Sequence, residues 1–180
     1  MQQIRVHNQP NEENLKKEIA AYHRLASIYQ SLIGKKKYPL AREMLLECYR
    51  AASTIDDSAA QYLLAKQLLD EARFRQELQT NGIFSSPSNE RQAKVLFEEA
   101  HAYLIAAQAL GHIEAKRLYG LCFINGWGLE IDKKKGFDLV VESIEQENSW
   151  DKVPQIFAAM GLNKPEFFSA LTQLRQKPNP

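Results

Sequence analysis

Apolar residues recur every three or four positions along most of this 180-residue chain, and no stretch alternates strictly between apolar and polar residues. Such spacing places apolar side chains on one face of an α-helix, whereas a half-buried strand needs alternation. The pattern therefore predicts an all-α fold with eight helices joined by short connections. The expected bounds are roughly 12–33, 38–54, 59–78, 89–110, 113–124, 133–146, 151–160 and 165–175.

Residues that start or stop helices lie between these segments. Gly34 is expected to end the first helix. Pro39 is expected in the first turn of the second helix, where its missing N–H costs nothing. The polar run 56–58 offers caps for the third helix, and Asp132 can cap the sixth.

Three segments share one pattern. A small residue is followed four positions later by a large one. Gly or Ala comes next, and another large residue follows three positions after that. The segments are 21–29, 60–68 and 115–123. This pattern predicts helix hairpins stacked as repeats in a short α-solenoid. The expected units are 12–56, 57–112 and 113–148, with a tail at 1–11 and capping helices and a tail in 149–180.

The second unit is longer than the others because it contains an expected insertion at residues 71–86. The apolar residues of this segment are Phe74, Leu78, Ile83 and Phe84. Apolar residues in a surface segment predict that it folds back on the body or contacts another molecule.

The third unit carries a repeat signature. Its positions are Glu114, Ala115, Tyr119, Gly120, Phe123, Asn125, Gly126, Trp127, Gly128, Leu129, Asp132, Lys135 and Gly136. Together with 106–112, this unit resembles the Sel-one-like repeat, a relative of the tetratricopeptide repeat. Tyr119 and Gly136 stand where that family usually has Leu and Ala. The resemblance covers 106–140 clearly and the first two units weakly, since those lack the Gly-x-Gly turn.

The resemblance implies an α-solenoid that scaffolds protein assembly. In bacteria such proteins often serve secretion systems, envelope processes or contact with a host. Stacked helix pairs also leave an extended concave face that fits a peptide or a helix. The expected function is a protein–protein interaction scaffold or adaptor, and a bacterial effector that engages host proteins is the alternative.

Composition limits the other functions that are open to the chain. A net charge of +1 provides no overall field that would attract nucleic acid or an anionic membrane. The polar N-terminus predicts no signal peptide, and no stretch is apolar enough to predict membrane insertion. Cys48 and Cys122 lie within apolar helical patterns, which favours buried thiols in a cytoplasmic protein.

The sequence contains no recognisable catalytic motif. The histidines His7, His23, His101 and His112 lack the spacing of metal ligands. No Gly-rich segment ends in the Lys-Ser or Lys-Thr of a phosphate loop, and no serine sits in a nucleophile elbow. We therefore expect no enzymatic activity, no metal and no cofactor.

The concave face should be lined by residues one or two positions away from the core residues of each unit. The groove candidates are His23, Ser27, Gln30, Tyr62, Lys66, Leu69, Arg117, Leu121 and Ile124. Tyr and Arg among apolar residues are typical of protein interfaces. The alternative is that Leu69, Leu121 and Ile124 are core residues of a wider packing.

Two lysine clusters and one tryptophan complete the candidates. The clusters are Lys35, Lys36 and Lys37, and Lys133, Lys134 and Lys135, in matching connections of units one and three. Stacking would place both on one edge, where they meet acidic groups of a partner or are simply solvated. Trp127 either anchors a partner or packs against the final helices.

The segment 153–175 has a faint helix-turn-helix pattern around Gly161. Phe157 stands where that motif needs a small residue, and the expected reading helix carries Glu166 and few cations. Nucleic-acid binding through these helices is the alternative of another class. An end cap for the stacked helices is the preferred interpretation.

Overall fold

The computed structural model describes residues 12–176, with side chains as far as Gln173, and all regular structure in that range is helical. This confirms the predicted all-α class and its eight helices. The helices are α1 (Glu12–Leu32), α2 (Ala41–Ser53), α3 (Ser58–Thr80), α4 (Pro87–Ala109), α5 (Ile113–Asn125), α6 (Lys133–Glu147), α7 (Val153–Ala159) and α8 (Pro165–Gln176), with a 3-10 turn at Trp150–Lys152. The predicted tail at 1–11, His7 within it, and residues 177–180 lie outside the described range.

Two predicted caps begin their helices. The Asp57 carboxylate accepts the N–H of Ala59 at 3.3 Å, at the start of α3. The Asp132 carboxylate accepts the N–H of Lys135 at 2.9 Å, at the start of α6. Each bond satisfies a donor that has no partner inside the helix, and such a cap is worth about 1 kcal/mol.

Pro39 does not lie in the first turn of α2, so that prediction is wrong. The helix begins at Ala41, whose N–H donates to the carbonyl of Tyr38 at 3.2 Å. The N–H of Tyr38 donates in turn to the carbonyl of Lys35 at 2.9 Å. Because the residue before a proline is disfavoured in helical conformation, these tight turns replace the expected first turn.

Residues 71–86 are not an inserted segment, which corrects the predicted organisation of the second unit. Residues 71–80 continue α3, so that α3 and α4 are each 23 residues long. The connection between them consists of residues 81–86. The second unit is therefore longer because both of its helices are longer.

The buried side chain of Asn89 holds this connection in place. Its Nδ2 donates to the carbonyl of Arg75 at 2.9 Å and to that of Phe84 at 3.3 Å. The Phe84 side chain itself does not fold back on the body, and neither does that of Ile83, since they are 56% and 73% exposed. Phe74 is likewise 56% exposed, so the predicted folding back is wrong for these three residues.

Successive helices pack in pairs, α1 with α2, α3 with α4 and α5 with α6, and α2–α3 and α4–α5 contacts join the pairs. The main core lies between α3, α4 and α5, and includes Leu64, Leu104 and Cys122. A second core joins α5 and α6 to α7 and α8, with Phe157 fully buried in it. Between α1 and α2 the buried residues are Ala26, Leu45 and Cys48.

Two glycines face each other where α5 crosses α6. A Cβ atom on Gly136 would lie 2.5 Å from the carbonyl oxygen of Gly120, and one on Gly120 would lie 2.6 Å from that of Gly136. Because both obstacles are backbone atoms, the two helices would have to separate to admit any side chain. The close approach of this hairpin depends on both glycines.

We expect Gly136→Ala to lower the free energy of unfolding by about 1–2 kcal/mol. Overpacking against backbone costs about 1–3 kcal/mol, and the better helix propensity of Ala offsets up to about 1 kcal/mol of it. Urea denaturation measures the change. The control Ser27→Ala, at an exposed position of α1, should stay within about 0.5 kcal/mol. A Gly136→Ala chain as stable as the parent contradicts the close approach.

Candidate protein-binding groove

One face of α3 runs beside α5 and the turn that follows it. Tyr62, Lys66, Arg73, Gln76 and Thr80 recur along this face and are at least partly accessible. From the first to the last of them the face is roughly 27 Å long, at 1.5 Å per residue. Depressions lie at both ends of it. We call this face and its two depressions the α3 groove.

The first depression lies at the start of α3 and has a volume of about 290 Å³. Its walls come from three helices, with Tyr62 from α3, Leu118 and Leu121 from α5, and Ile156 and Met160 from α7 and its end. Apolar walls with a few charged groups are typical of a site that accepts a partner's side chain.

The second depression lies at the end of α3 and has a volume of about 330 Å³. The Arg73 guanidinium covers the Trp127 ring, at 4.0 Å from its centroid, and lies 3.8 Å from the Asp70 carboxylate. The indole packs against both cores. Trp127 is therefore a packed wall of the groove, and the Trp–Arg pair fixes the shape of this end.

Arg117 lines the first depression but is held from behind by α6. Its Nε donates to the Ser143 hydroxyl at 3.0 Å, and its Nη2 pairs with the Glu147 carboxylate. This hydrogen bond from Arg117 keeps the pKa of Glu147 below its ordinary value. The charge of Arg117 is thus already matched inside the protein, and the residue offers a partner mainly its apolar stem.

Tyr62 is fixed at the mouth of the first depression. Its ring stacks on that of His112, with centroids 4.7 Å apart, and the His112 Nδ1 accepts the N–H of Ala115 as the cap of α5. Burial raises the pKa of the Tyr62 phenol, and the nearby Glu114 carboxylate raises it further. The phenol stays protonated at neutral pH and can donate a hydrogen bond.

The structure brings together some of the predicted groove residues. Tyr62, Arg117 and Leu121 line the first depression, and exposed Lys66 lies on the same face of α3. Leu69, Leu121 and Ile124 are only 2%, 8% and 7% exposed and belong to the two cores, as the alternative predicted, and of the three only Leu121 also lines the first depression. Their positions match the groove face, but neighbouring helices cover them.

The predicted groove residues of α1 do not join these depressions. His23 Nε2 pairs with the Asp57 carboxylate, which also caps α3. Ser27 and Gln30 are exposed on α1. The prediction failed here because α1 contacts the body through α2 and the start of α3, away from α5 and α7.

The residues that α7 contributes were missed at the level of sequence. Ile156, Ala159 and Met160 line the first depression, whereas Val153 and Phe157 of the same segment enter the second core. Apolar residues occupy two flanks of this short helix, and this pattern is the sequence signal that identifies a second contact surface on it. A role as an end cap accounts for one flank only.

The two lysine clusters occupy different local structures. Lys35, Lys36 and Lys37 are exposed in the connection between α1 and α2, while the second cluster, residues 133–135, forms the exposed first turn of α6. The Lys135 ammonium lies over the Phe123 ring, 4.1 Å from its centroid.

The second lysine cluster also borders a separate depression. Lys133 and Lys134 line a hollow of about 430 Å³ between α6 and α8, over Phe137 and Phe167.

Buried titratable groups lie in the core instead of the groove. Burial raises the pKa of Cys122 to about 12 and lowers that of His101. Within residues 12–176, no three His, Cys, Asp or Glu side chains lie close enough together to hold a metal ion. Over the same range, no helix combines the length and apolar character that a membrane span requires.

Comparisons with protein families, with curated proteins and with solved structures found no match.

The contact between Arg73 and Trp127 can be measured by a double-mutant cycle. We expect Trp127→Ala to lower the free energy of unfolding by about 2–3 kcal/mol and Arg73→Ala by about 0.5–1 kcal/mol, with a coupling of about 0.5–1 kcal/mol between them. Chemical denaturation of the four chains gives the coupling. A control cycle that pairs Trp127→Ala with Arg24→Ala should give no coupling, because Arg24 lies on α1. A coupling of zero for Arg73 contradicts the stacked geometry.

Proposed function

We propose that this chain is a non-enzymatic scaffold or adaptor that binds a segment of a partner protein along the α3 groove. The observation that carries the proposal is the position of two depressions at the two ends of one face of α3. The walls of the groove are fixed by packing and by internal ion pairs, so that little order has to be created on binding.

The dimensions of the groove indicate the kind of segment that fits. A face of roughly 27 Å accommodates a helix of about 18 residues, or an extended segment of about eight. One end is apolar and includes the flexible side chain of Met160, which adapts to partner side chains of different shape. The other end presents Arg73 and Glu77. The matching partner is an amphipathic segment, apolar at one end and polar at the other.

Binding of a segment in this groove requires no catalytic group. The hydroxyl of Thr80 in the second depression donates to the carbonyl of Gln76, at 2.9 Å. The Arg117 guanidinium in the first is matched by Glu147. Both arrangements favour a recognition surface over a reaction centre.

The resemblance of 106–140 to a Sel-one-like repeat supports the same proposal. That family consists of α-solenoid scaffolds, and a bacterial secretion or envelope assembly is the setting we propose for this chain. An effector that engages host proteins would use the same groove. Cys48 and Cys122 are unpaired and buried, which supports a cytoplasmic location.

Nucleic-acid binding through α7 and α8 receives no such support. Phe157 is fully buried in the second core, and the sequence of α8 contains Glu166 and a single cation, Arg175, in its last turn. A helix that reads base edges normally presents cations or amides to them.

Selection from a displayed library of segments of about 18 residues tests the groove. We expect Met160→Glu and Lys66→Glu each to weaken the binding of a selected segment about tenfold or more, which is 1.4 kcal/mol or more. Met160→Glu places a charge in the apolar end of the groove, and Lys66→Glu reverses a charge on the α3 face. The matched control is Val95→Glu, at a 53% exposed apolar position of α4. Calorimetric titration gives the affinities. Segments that bind all three variants as they bind the parent exclude the α3 groove as the site.

A further inference from the structure

The repeat pattern is buried differently in its three occurrences. Ala60 and Leu64 in α3 are fully buried, and so is Ala115 in α5. The equivalent positions in α1 are Ala21, which is exposed, and Leu25, which is 43% exposed. The same positions that meet a neighbouring helix in the second and third hairpins meet solvent in the first.

The exposed large apolar residues of α1, Leu25 and Ile28, lie on one flank of the helix. Ala21, Leu25, Ile28 and the partly buried Leu32 follow spacings of four, three and four residues, so they form one stripe. At 100° per residue, this stripe points away from His23, which contacts Asp57 at the start of α3. It therefore faces away from the next hairpin.

The same arrangement holds for α2. Arg42 pairs with Glu71 of α3, and Leu46 packs against the main core, so this flank faces the next hairpin. Leu40 and Met44 occupy the opposite flank and are 63% and 41% exposed. The outer flanks of α1 and α2 together form one apolar surface, which we call the α1–α2 end face.

This surface is large for a helix pair with so small a core. Its four most exposed apolar side chains, with Leu32 and Ala21 between them, present roughly 400 Å² of apolar area, which is the size of the largest apolar patch on a typical monomer, a patch that is often functional. The buried cluster between α1 and α2 is small and consists of Ala26, Leu45 and Cys48. Covering the end face would give this hairpin the burial that the other two already have.

The apolar area matches what a stable dimer needs. Apolar atoms supply a little over half of a typical protein interface, so a contact centred on this patch would bury roughly 700 Å² on each copy. A standard interface buries about 800 Å² on each partner. The end face is therefore large enough to hold two copies together.

The opposite end of the described chain is already covered. Phe137 and Ile144 of α6 pack against Phe157 of α7 and Phe167 of α8. Within residues 12–176, the stack of hairpins thus has one covered end and one end that no described residue covers. When each copy has a single open apolar end, two copies can cover both ends at once through a closed two-fold contact.

The order of residues in the α1 stripe is self-complementary. Its spacings of four, three and four residues read the same in both directions along the helix. If two α1 helices pack antiparallel about a two-fold axis between residues 26 and 27, Leu25 of each copy lies opposite Ile28 of the other. Ala21 then lies opposite Leu32, so that a small residue meets a large one and the two helices can approach closely.

The charges beside the stripe fit the same contact. Glu18 lies one turn before Ala21, and Lys35 follows α1 in the connection to α2. The antiparallel arrangement brings Glu18 of one copy to the end of α1 of the other, which Lys35 follows in the connection, whereas a parallel one brings like charges together. Lys17, on the other border of the stripe, forms an exposed ion pair with Glu13 at 2.7 Å.

We infer that the α1–α2 end face is the interface of a homodimer, in which a second copy of this chain covers it with antiparallel α1 helices. Glu18 and the lysines of the α1–α2 connection specify the orientation of the two copies. The interface is separate from the α3 groove, so each copy in the dimer keeps a groove of its own.

Sedimentation equilibrium of the full chain tests the dimer. At about 20 µM, above the roughly micromolar Kd expected for a modest apolar interface, we expect a mass twice that of the 20.6 kDa chain. Ile28→Glu, at a 54% exposed position of the stripe, should give a monomer with unchanged helix content by circular dichroism. Val95→Glu, the matched control on α4, should remain a dimer.

Charge exchange tests the orientation. A chain with Glu18→Lys places lysines opposite lysines in its own dimer, and one with Lys35→Glu, Lys36→Glu and Lys37→Glu places glutamates opposite Glu18. Each alone should dimerise at least about fivefold more weakly than the parent, and an equimolar mixture should recover the dimer as a heterodimer.

Three results overturn the inference: a monomeric parent chain, an Ile28→Glu chain that still dimerises, or a mixture that recovers nothing. If the parent is monomeric and a chain without residues 1–11 dimerises, that segment occupies the end face instead of a second copy.

Discussion

Each helix pair in this protein depends on its neighbours to bury its apolar residues. The main core contains Leu64 and Leu68 of α3, Leu104 of α4 and Cys122 of α5, and Leu46 and Tyr49 of α2 pack against its edge. No single hairpin could enclose these side chains, because a pair of helices has one face toward its partner and other faces toward solvent. The helix order, the position of the groove and the open end all follow from this shared burial.

The helices were predictable because their signals are local. Apolar spacing, the Asp57 and Asp132 caps and the Gly-x-Gly turn act within a few residues, and the structure shows helices at the expected places. Where prediction failed, the deciding contact was a different local bond or a distant one. The turn around Tyr38 delayed α2, and the Asn89 side chain, anchored to Arg75, closed α3 and α4 into one long hairpin.

The groove was only partly predictable from the sequence. Tyr62, Lys66 and Arg117 followed from helical position, because accessible positions repeat with the helix. Leu69 and Ile124 occupy similar positions but are covered by other helices, and no local pattern reveals which neighbour covers a given side chain. The walls that α7 supplies depend on how that helix packs against α5, which is a contact between residues far apart in the sequence.

The groove and the end face lie on different helices. A homodimer formed through α1 and α2 would present two copies of the groove formed by α3, α5 and α7. A partner with two matching segments would then bind the second one at a high effective concentration.

Crosslinking in the cell that makes this protein tests the central claim most directly. A photoreactive amino acid is placed at Lys66 or Arg73 in the groove, or at Val95 on α4. The account predicts that Lys66 and Arg73 yield an adduct with the same partner protein and that Val95 yields none. A partner that crosslinks from Val95 while both groove positions stay unreacted would contradict it.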